Sequence, residues 1–244
     1  MKSARRMLFF TASTAGLATF TLSPSNAQAR PLVPGVKDVP LTGISYADRP
    51  TLPGETLARQ TLALHIEDNV TGSLVFDGAL ETSVVREPSD GLTFVYRLIH
   101  HPTNRPALGE VFRLTTFNIE PRFETDVDYL SESEGNGPPS RASRGDNWID
   151  FTFNGSDTLV TGENSQSFFV RTNAVDYDTG GFAITDAFTP AEDPYSGHIR
   201  SGLVDGVYRP VIVPLPAAVY TGAIGLATIY IARKRVRRML GNVS

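Results

Sequence analysis

The chain has 244 residues, of which 41% are hydrophobic and 20% are charged, and it contains no cysteine. Its formal net charge is -4, but all 26 acidic residues lie between Asp38 and Asp205, and the interval 31–210 holds only 13 basic residues, a net charge of -13. The missing cysteines exclude disulfides, thiol catalysis and cysteine-based zinc sites, and the acidic middle argues against nucleic acid as a partner, since phosphate binding needs clustered cations.

The first 29 residues have the pattern of a secretory signal peptide. Three basic residues precede an uncharged stretch at residues 8–22, and an A-x-A cleavage site formed by Ala27 and Ala29 follows. This order is typical of a segment that is removed after export. We therefore predict that the mature chain begins at Arg30. An arginine pair in the basic segment leaves both the general secretory and the twin-arginine export routes open.

Residues 30–59 are rich in proline and glycine, which predicts an extended lead-in. Residues 60–209 are predicted to form one β domain, because short β-branched and aromatic runs follow one another. These runs are residues 61–66, 71–76, 80–86, 92–99, 111–117, 123–130, 148–153, 167–171 and 182–187.

Turn signals separate several of these runs, and Asp77-Gly78 and Gly180-Gly181 are two of them. Within residues 92–99, apolar side chains alternate in the manner of a central strand with one buried face. No convincing amphipathic helix interrupts the pattern. The sequence therefore predicts an all-β fold, an antiparallel β-sandwich.

The C-terminal region is predicted to cross a membrane once. Residues 211–232 contain no charged side chain, and 22 positions are enough to span a hydrocarbon core of about 30 Å. Two prolines restrict the helix to residues 217–232, since proline suits only the first helical turn. Five cations follow the apolar stretch and favour a cytoplasmic C-terminus. The β domain would then lie outside the membrane.

A short motif, an apolar helix and a basic cluster follow one another within residues 210–244. The motif is Val213, Pro214, Leu215 and Pro216, and the cluster is Arg233, Lys234, Arg235, Arg237 and Arg238. This tail resembles the bacterial PEP-CTERM sorting signal in its VPLPA variant. More loosely, residues 92–96, 123–129 and 167–174 resemble stretches of the secreted β domains that commonly precede such tails.

The resemblance implies a set of expectations about location and partners. It implies export, recognition of the motif by an exosortase-type enzyme, and removal of the helix and its basic cluster. The precursor would be anchored in the inner membrane for a time, and the finished protein would lie at the cell surface or in an exopolysaccharide matrix. The resemblance supplies no catalytic residue.

Catalytic motifs are weak, so we predict that the protein is not an enzyme and assign no catalytic residue. The chain has four histidines, at His65, His100, His101 and His198, but no G-x-S-x-G or H-E-x-x-H motif. The tripeptide Arg144-Gly145-Asp146 is interpreted as a turn before the strand that starts at Trp148.

Acidic residues suggest the one candidate cofactor, calcium, which binds several oxygen ligands. The candidate ligands are Asp126, Asp128, Asp176 and Asp178. Alternation places the first two on one face of a strand. Solvated acidic loops without a metal are the alternative interpretation, and no other cofactor is predicted.

The predicted function is that of a non-enzymatic surface or matrix protein that binds exopolysaccharide. Trp148 and Tyr195 are candidate sugar contacts, although their sequence context does not distinguish them from core aromatic residues. Two alternatives stay open: a purely structural surface module without a ligand, and a surface hydrolase.

Overall fold

A computed structural model describes residues 29–48, 54–88, 91–102, 109–154, 158–188 and 198–212. Within these ranges the chain forms twelve strands and no helix. The strands are β1 (Arg30–Pro31), β2 (Val39–Pro40), β3 (Glu55–Glu67), β4 (Leu74–Arg86), β5 (Leu92–His100), β6 (Val111–Phe117), β7 (Thr125–Tyr129), β8 (Arg141–Arg144), β9 (Trp148–Thr152), β10 (Phe168–Thr172), β11 (Asp176–Phe188) and β12 (Ile199–Val211). A helix able to cross a membrane is not found among the described residues.

The strands form two six-stranded sheets. The first sheet has the order β1-β7-β10-β5-β4-β3, and the second has the order β12-β11-β6-β9-β8-β2. Neighbouring strands within each sheet are antiparallel. The predicted all-β class and the antiparallel arrangement are therefore confirmed. The predicted transmembrane helix, the sorting motif, the basic cluster and the first 28 residues lie outside the described residues.

One hydrophobic core lies between the sheets. Inward-facing side chains of β5 supply part of it from the first sheet, as the alternation in residues 92–99 predicts. The second sheet supplies Phe151, whose ring lies 4.7 Å from that of Phe168 in the first sheet. Both rings are fully buried, so aromatic packing contributes to holding the two layers together.

The prediction of a turn at Asp77-Gly78 is wrong, because both residues lie inside β4. The two predicted runs at 71–76 and 80–86 are therefore largely parts of a single long strand. A Cβ atom at Gly78 would lie 2.0 Å from the carbonyl oxygen of Ile99. Glycine is required there because β5 approaches closely, and not because the chain reverses.

The prediction of a turn at Gly180-Gly181 is also wrong, since β11 runs through both residues. The pairing of β11 with β12 shifts register between Asp178 and Gly181, as in a β-bulge. Strands β8 and β12 were not predicted as strands. Their sequences are interrupted by arginine, glycine and aspartate, which weaken the pattern of β-branched and aromatic residues.

The proline-rich lead-in adds one short strand to each sheet. Strand β1 pairs with β7 in the first sheet, and β2 pairs with β8 in the second. Leu32, Leu41 and Ile44 of this segment are buried. The lead-in therefore packs against both layers of the domain.

A buried arginine fixes the lead-in to the domain. The Arg144 guanidinium donates hydrogen bonds to the carbonyl oxygens of Leu32, Glu120 and Phe123 and to the hydroxyl of Thr125, at 2.6 to 3.1 Å. Arg144 is 2% exposed. The first residue of the Arg-Gly-Asp tripeptide therefore has a structural role and is not available at the surface.

Candidate functional site

The outer face of the second sheet carries a row of three aromatic side chains, one from each of β11, β6 and β9. The row consists of Phe182, Phe117 and Trp148, and all three are partly exposed. The rings of Phe117 and Phe182 stack at 4.5 Å with an interplanar angle of 11°. Because neighbouring strands lie about 4.8 Å apart, the row spans about 10 Å across the sheet. We call it the aromatic row.

Strand register explains why these rings share one face. Phe117 lies directly opposite Trp148, and the next pair, Thr116 and Ile149, is buried in the core. Side chains that lie opposite each other in antiparallel strands point to the same side. Alternation along β6 and β9 thus directs the aromatic pair outward.

A polar row lies beside the aromatic row. It contains Thr115 of β6, which pairs with Asp150 of β9, which in turn pairs with Ser143 of β8. The two rows border a shallow pocket of about 200 Å³. Its lining residues are Arg113, Thr115, Phe117, Trp148 and Asp150.

The carboxylate of Asp150 is the unusual group in this pocket. Its Oδ1 atom is buried and has no hydrogen-bond partner. Burial raises the pKa of Asp150 above its usual value, although a hydrogen bond from Ser143 and the charge of Arg113 act in the opposite direction. The negative charge of Asp38 raises that pKa further. The Asp150 carboxylate therefore accepts from Ser143 but has one oxygen, Oδ1, without a donor.

The positive charge in the pocket is already compensated. Arg113 Nε donates to Asp186 Oδ2 at 2.6 Å, and Arg113 Nη2 lies 2.5 Å from the same oxygen. The Asp186 side chain is 3% exposed, and its other oxygen accepts a hydrogen bond from Ser201. The ion pair leaves the charge of Asp150 dominant in the pocket.

Glycine determines the position of the indole ring. A Cβ atom on Gly145 would lie 2.3 Å from both Nε1 and Cε2 of Trp148, so the ring edge rests directly on the Gly145 backbone. The Gly145 N–H also donates to the Trp148 carbonyl at 3.0 Å. Trp148 is the single tryptophan of the chain. Its fluorescence therefore reports on this surface alone.

Two other pockets are bordered by ion pairs. A pocket of about 290 Å³ includes Arg171, which contacts Glu87 at 3.1 Å and Asp126 at 3.3 Å. A pocket of about 220 Å³ on the first sheet includes Arg59 and Arg97, which both contact Glu81. In both pockets the cations are already paired with carboxylates of the protein itself.

The four candidate calcium ligands lie on two different sheets, two on β7 and two on β11. Asp126 pairs with Arg171 at 3.3 Å, and Asp178 accepts a hydrogen bond from Arg209 at 2.7 Å. Asp128 is fully buried, and its Oδ1 accepts from two backbone amides. Asp176 lies at the start of β11 and accepts from the amide of Tyr177. Among the described residues, no group of three or more His, Asp or Glu side chains is arranged to hold a metal ion.

The histidines do not form a cluster with the candidate pocket. His65 Nδ1 lies 2.9 Å from Asp77 Oδ1, and His101 Nδ1 lies 3.7 Å from the same oxygen, on the first sheet. His100 is buried with its ring 4.5 Å from that of Phe76, and burial lowers its pKa. All three therefore lie on the sheet opposite the aromatic row.

Several predicted sites fall wholly or partly outside the described residues. Tyr195, Ala27, the sorting motif and the basic cluster are among them. Ala29, the other residue of the predicted cleavage site, is described and is 3% exposed, and it packs with Ile44, Leu130 and Phe169.

Trp148 was identified from the sequence, whereas Phe117, Phe182 and Asp150 were not. Alternation within residues 111–117 and 148–153 could have placed Phe117 and Asp150 on outward faces. It could not have shown that three strands bring the rings side by side, because strand order is a tertiary property. Comparisons of the chain with protein-family models, with curated proteins and with solved structures gave no match.

Proposed function

We propose that the protein is an exported, non-enzymatic surface or matrix protein that binds a carbohydrate polymer on the outer face of its second sheet. The observation that carries the proposal is the aromatic row next to the carboxylate of Asp150, which lines the same pocket as Phe117 and Trp148. Sugar rings present C–H groups on their faces and hydroxyl groups around their edges. Flat aromatic rings suit the first, and a carboxylate that lines the pocket suits the second.

The shape of the face favours a polymer over a small molecule. Pockets for drug-sized ligands usually enclose roughly 300–1,000 Å³, so a shallow pocket of about 200 Å³ would cover only part of such a ligand. A second stacked ring pair, Phe112 and Phe188 at 4.3 Å, lies further along β6 and β11. Phe182 and Phe188 on β11 are six residues apart, so alternation directs both to the same face, about 20 Å apart along the strand. An extended chain could therefore contact several points.

The proposed location rests on the two ends of the sequence. The signal peptide supports export, and the tail's resemblance to the PEP-CTERM signal supports handling by an exosortase-type enzyme. A domain with net charge -13 over residues 31–210 is suited to an aqueous exterior. Exopolysaccharide is the polymer class that this location makes available.

Co-sedimentation tests the proposal. The full chain in detergent micelles is mixed with insoluble polysaccharides, and the bound fraction is measured for the wild type and for Trp148→Ala. We expect Trp148→Ala to weaken binding at least about tenfold, since loss of one stacked aromatic removes about 1.4 kcal/mol or more. Tyr46→Ala is the matched control, because Tyr46 is an exposed aromatic residue in the lead-in.

Two outcomes would contradict the proposal. One is equal binding by the wild type and Trp148→Ala. The other is no polysaccharide binding together with a dimer that dissociates when Trp148 is removed, which would make the face a contact between copies of the chain. The purely structural alternative predicts no binding and no dimer.

A further inference from the structure

Charge near the aromatic row bears on which sugars can bind there. Asp150 lies in the pocket, Asp38 is close enough to raise its pKa, and Asp205 lies opposite Phe182 on β12. The nearby cation, Arg113, is bound to Asp186. The surface therefore presents uncompensated negative charge to a bound polymer.

A polymer of uronic acids fits this surface poorly. Its carboxylates would approach Asp150 and Asp205, and like charges brought together at close range are unfavourable. A neutral sugar can donate a hydroxyl hydrogen to the Asp150 carboxylate but brings no positive charge to it. A cationic sugar supplies both a donor and a counter-charge.

Resting on the carbohydrate proposal above, we infer that the polymer contains hexosamine units with free amino groups, and that Asp150 binds their ammonium group. The aromatic row holds the ring faces, and the carboxylate at its edge selects the substituent. Asp150 is suited to this role because it lines the same pocket as Trp148 and is partly exposed there. A charge-assisted hydrogen bond to its carboxylate is stronger than a neutral one.

The spacing of the site agrees with this arrangement. Asp150 lies two residues from Trp148 on β9, so their side chains project from the same face about 7 Å apart along the strand. A sugar ring stacked on the indole can thus direct one substituent toward the carboxylate. Ser143 lies on the far side of Asp150 and holds the carboxylate by a hydrogen bond.

The test compares four soluble hexasaccharides of equal length, made of glucosamine, N-acetylglucosamine, glucose or glucuronic acid. Each is titrated into the full chain in detergent micelles, and the dissociation constant is measured by calorimetry. We expect the glucosamine hexamer to bind at least about tenfold more tightly than the two neutral hexamers, and the glucuronate hexamer to bind least. Asp150→Asn should remove the preference for glucosamine while the weaker binding of neutral hexamers persists.

Asp146→Asn is the matched control, because Asp146 is an exposed carboxylate on the loop before β9 and outside the pocket. An acidic protein attracts any cationic polymer, and such attraction would weaken equally in both variants. Equal loss in Asp146→Asn and Asp150→Asn would therefore overturn the inference.

Further outcomes separate the inference from the proposed function. Equal binding of glucose and glucosamine hexamers, with loss of both in Trp148→Ala, would overturn the amine selection and support carbohydrate binding. Binding of no hexamer at all, with Trp148 accessible to a soluble fluorescence quencher, would contradict both.

Discussion

At the scale of single residues, the carboxylate of Asp150 lowers the stability of the fold at neutral pH and is also a candidate functional group. Burial raises the pKa of this carboxyl above 3.8, its ordinary value, so the folded protein binds the proton more tightly than the unfolded chain does. Stability therefore falls as pH rises from 3.8 through the raised value, and the ionised group destabilises the fold at neutral pH. A group of this kind on an outward face is a candidate for function.

The first prediction concerns Asp150→Asn. This variant should melt at a higher temperature than the wild type at pH 7, because it removes a poorly solvated charge. The difference should shrink as pH falls toward 3.8, where the wild-type carboxyl becomes protonated in both states. Thermal melts of the wild type and the variant across this pH range measure the difference in melting temperature. A variant that is less stable than the wild type at pH 7 would show that the interactions of the carboxylate with Ser143 and Arg113 outweigh the cost of its burial.

The second prediction concerns Arg144, the buried cation that joins the lead-in to the domain. Arg144→Met should lower the free energy of unfolding on the order of 4 kcal/mol, because three carbonyl groups and one hydroxyl lose a charged donor. Arg144→Lys should recover only part of the loss, since one ammonium cannot replace the guanidinium fork.

Chemical denaturation measures the free energy of unfolding of both Arg144 variants. Arg122→Met is the control, because Arg122 has a 61% exposed side chain that pairs with Glu120 at the surface. It should change stability by less than about 1 kcal/mol. An Arg144→Met protein as stable as the Arg122→Met protein would contradict the structural role.

At the scale of elements, the edges of the two sheets meet where β3 passes β12. The side-chain amide of Gln60 on β3 donates to the carbonyl of Gly206 on β12 at 2.6 Å. A Cβ atom on Gly202 would lie 2.6 Å from Ile66 Cγ1 and 3.3 Å from the His65 carbonyl. The close approach covers two edges that would otherwise be free to pair with other chains.

The third prediction follows from this contact. Gly202→Ala should destabilise the protein by about 1–3 kcal/mol, because the added methyl group forces the two edges apart. Leu203→Ser on the same strand is the control, since Leu203 is 58% exposed and should change stability by about 0.5 kcal/mol or less. The denaturation midpoints of the two variants are measured and compared. Equal midpoints would contradict the close packing of β3 on β12.

The fourth prediction concerns calcium and strands β7 and β11. Arg171 pairs with Asp126 and Arg209 pairs with Asp178, so a metal ion would have to displace an arginine at each place. We expect millimolar calcium and a chelator to give the same melting midpoint. A midpoint that rises with calcium and falls in Asp126→Asn would support the calcium site that the sequence suggests.

The sequence predicts most strands of the core but not how all of them begin and end. Periodicity identified β5 because Leu92, Phe94, Tyr96 and Leu98 alternate and are buried. The Asp77-Gly78 signal was misleading, since turn residues also occur where a neighbouring strand comes close. Strand β12 was missed because two glycines and three charged residues interrupt its apolar residues, and the strand lies at the edge of a sheet.

At the scale of the whole molecule, the sequence alone predicts only part of the candidate functional site. Trp148 stands out by residue type, but its partners Phe117 and Phe182 come from strands that are distant in the chain. Their meeting depends on the order β11-β6-β9, which local patterns do not encode. The lack of a donor to Asp150 Oδ1 likewise depends on packing across β8 and β9.

The outer faces of the two sheets differ in the side chains that they present. The first sheet bears ion pairs around Arg97 and Glu81 and is partly covered by the lead-in, where Ile44 packs on Phe169. The second sheet presents stacked rings beside the carboxylate of Asp150. We therefore expect a polymer to bind the outer face of the second sheet, because the lead-in covers part of the outer face of the first.

Trp148 fluorescence tests this account most directly, because the single indole lies in the aromatic row. The full chain in detergent micelles is titrated with glucosamine and glucose hexamers while emission is recorded, alongside Gly145→Ala, in which the indole is displaced. The account predicts a saturable change in emission with at least one hexamer, at the dissociation constant found by calorimetry, and weaker binding by Gly145→Ala. Calorimetric binding that leaves Trp148 emission unchanged would place the sugar elsewhere and contradict the account.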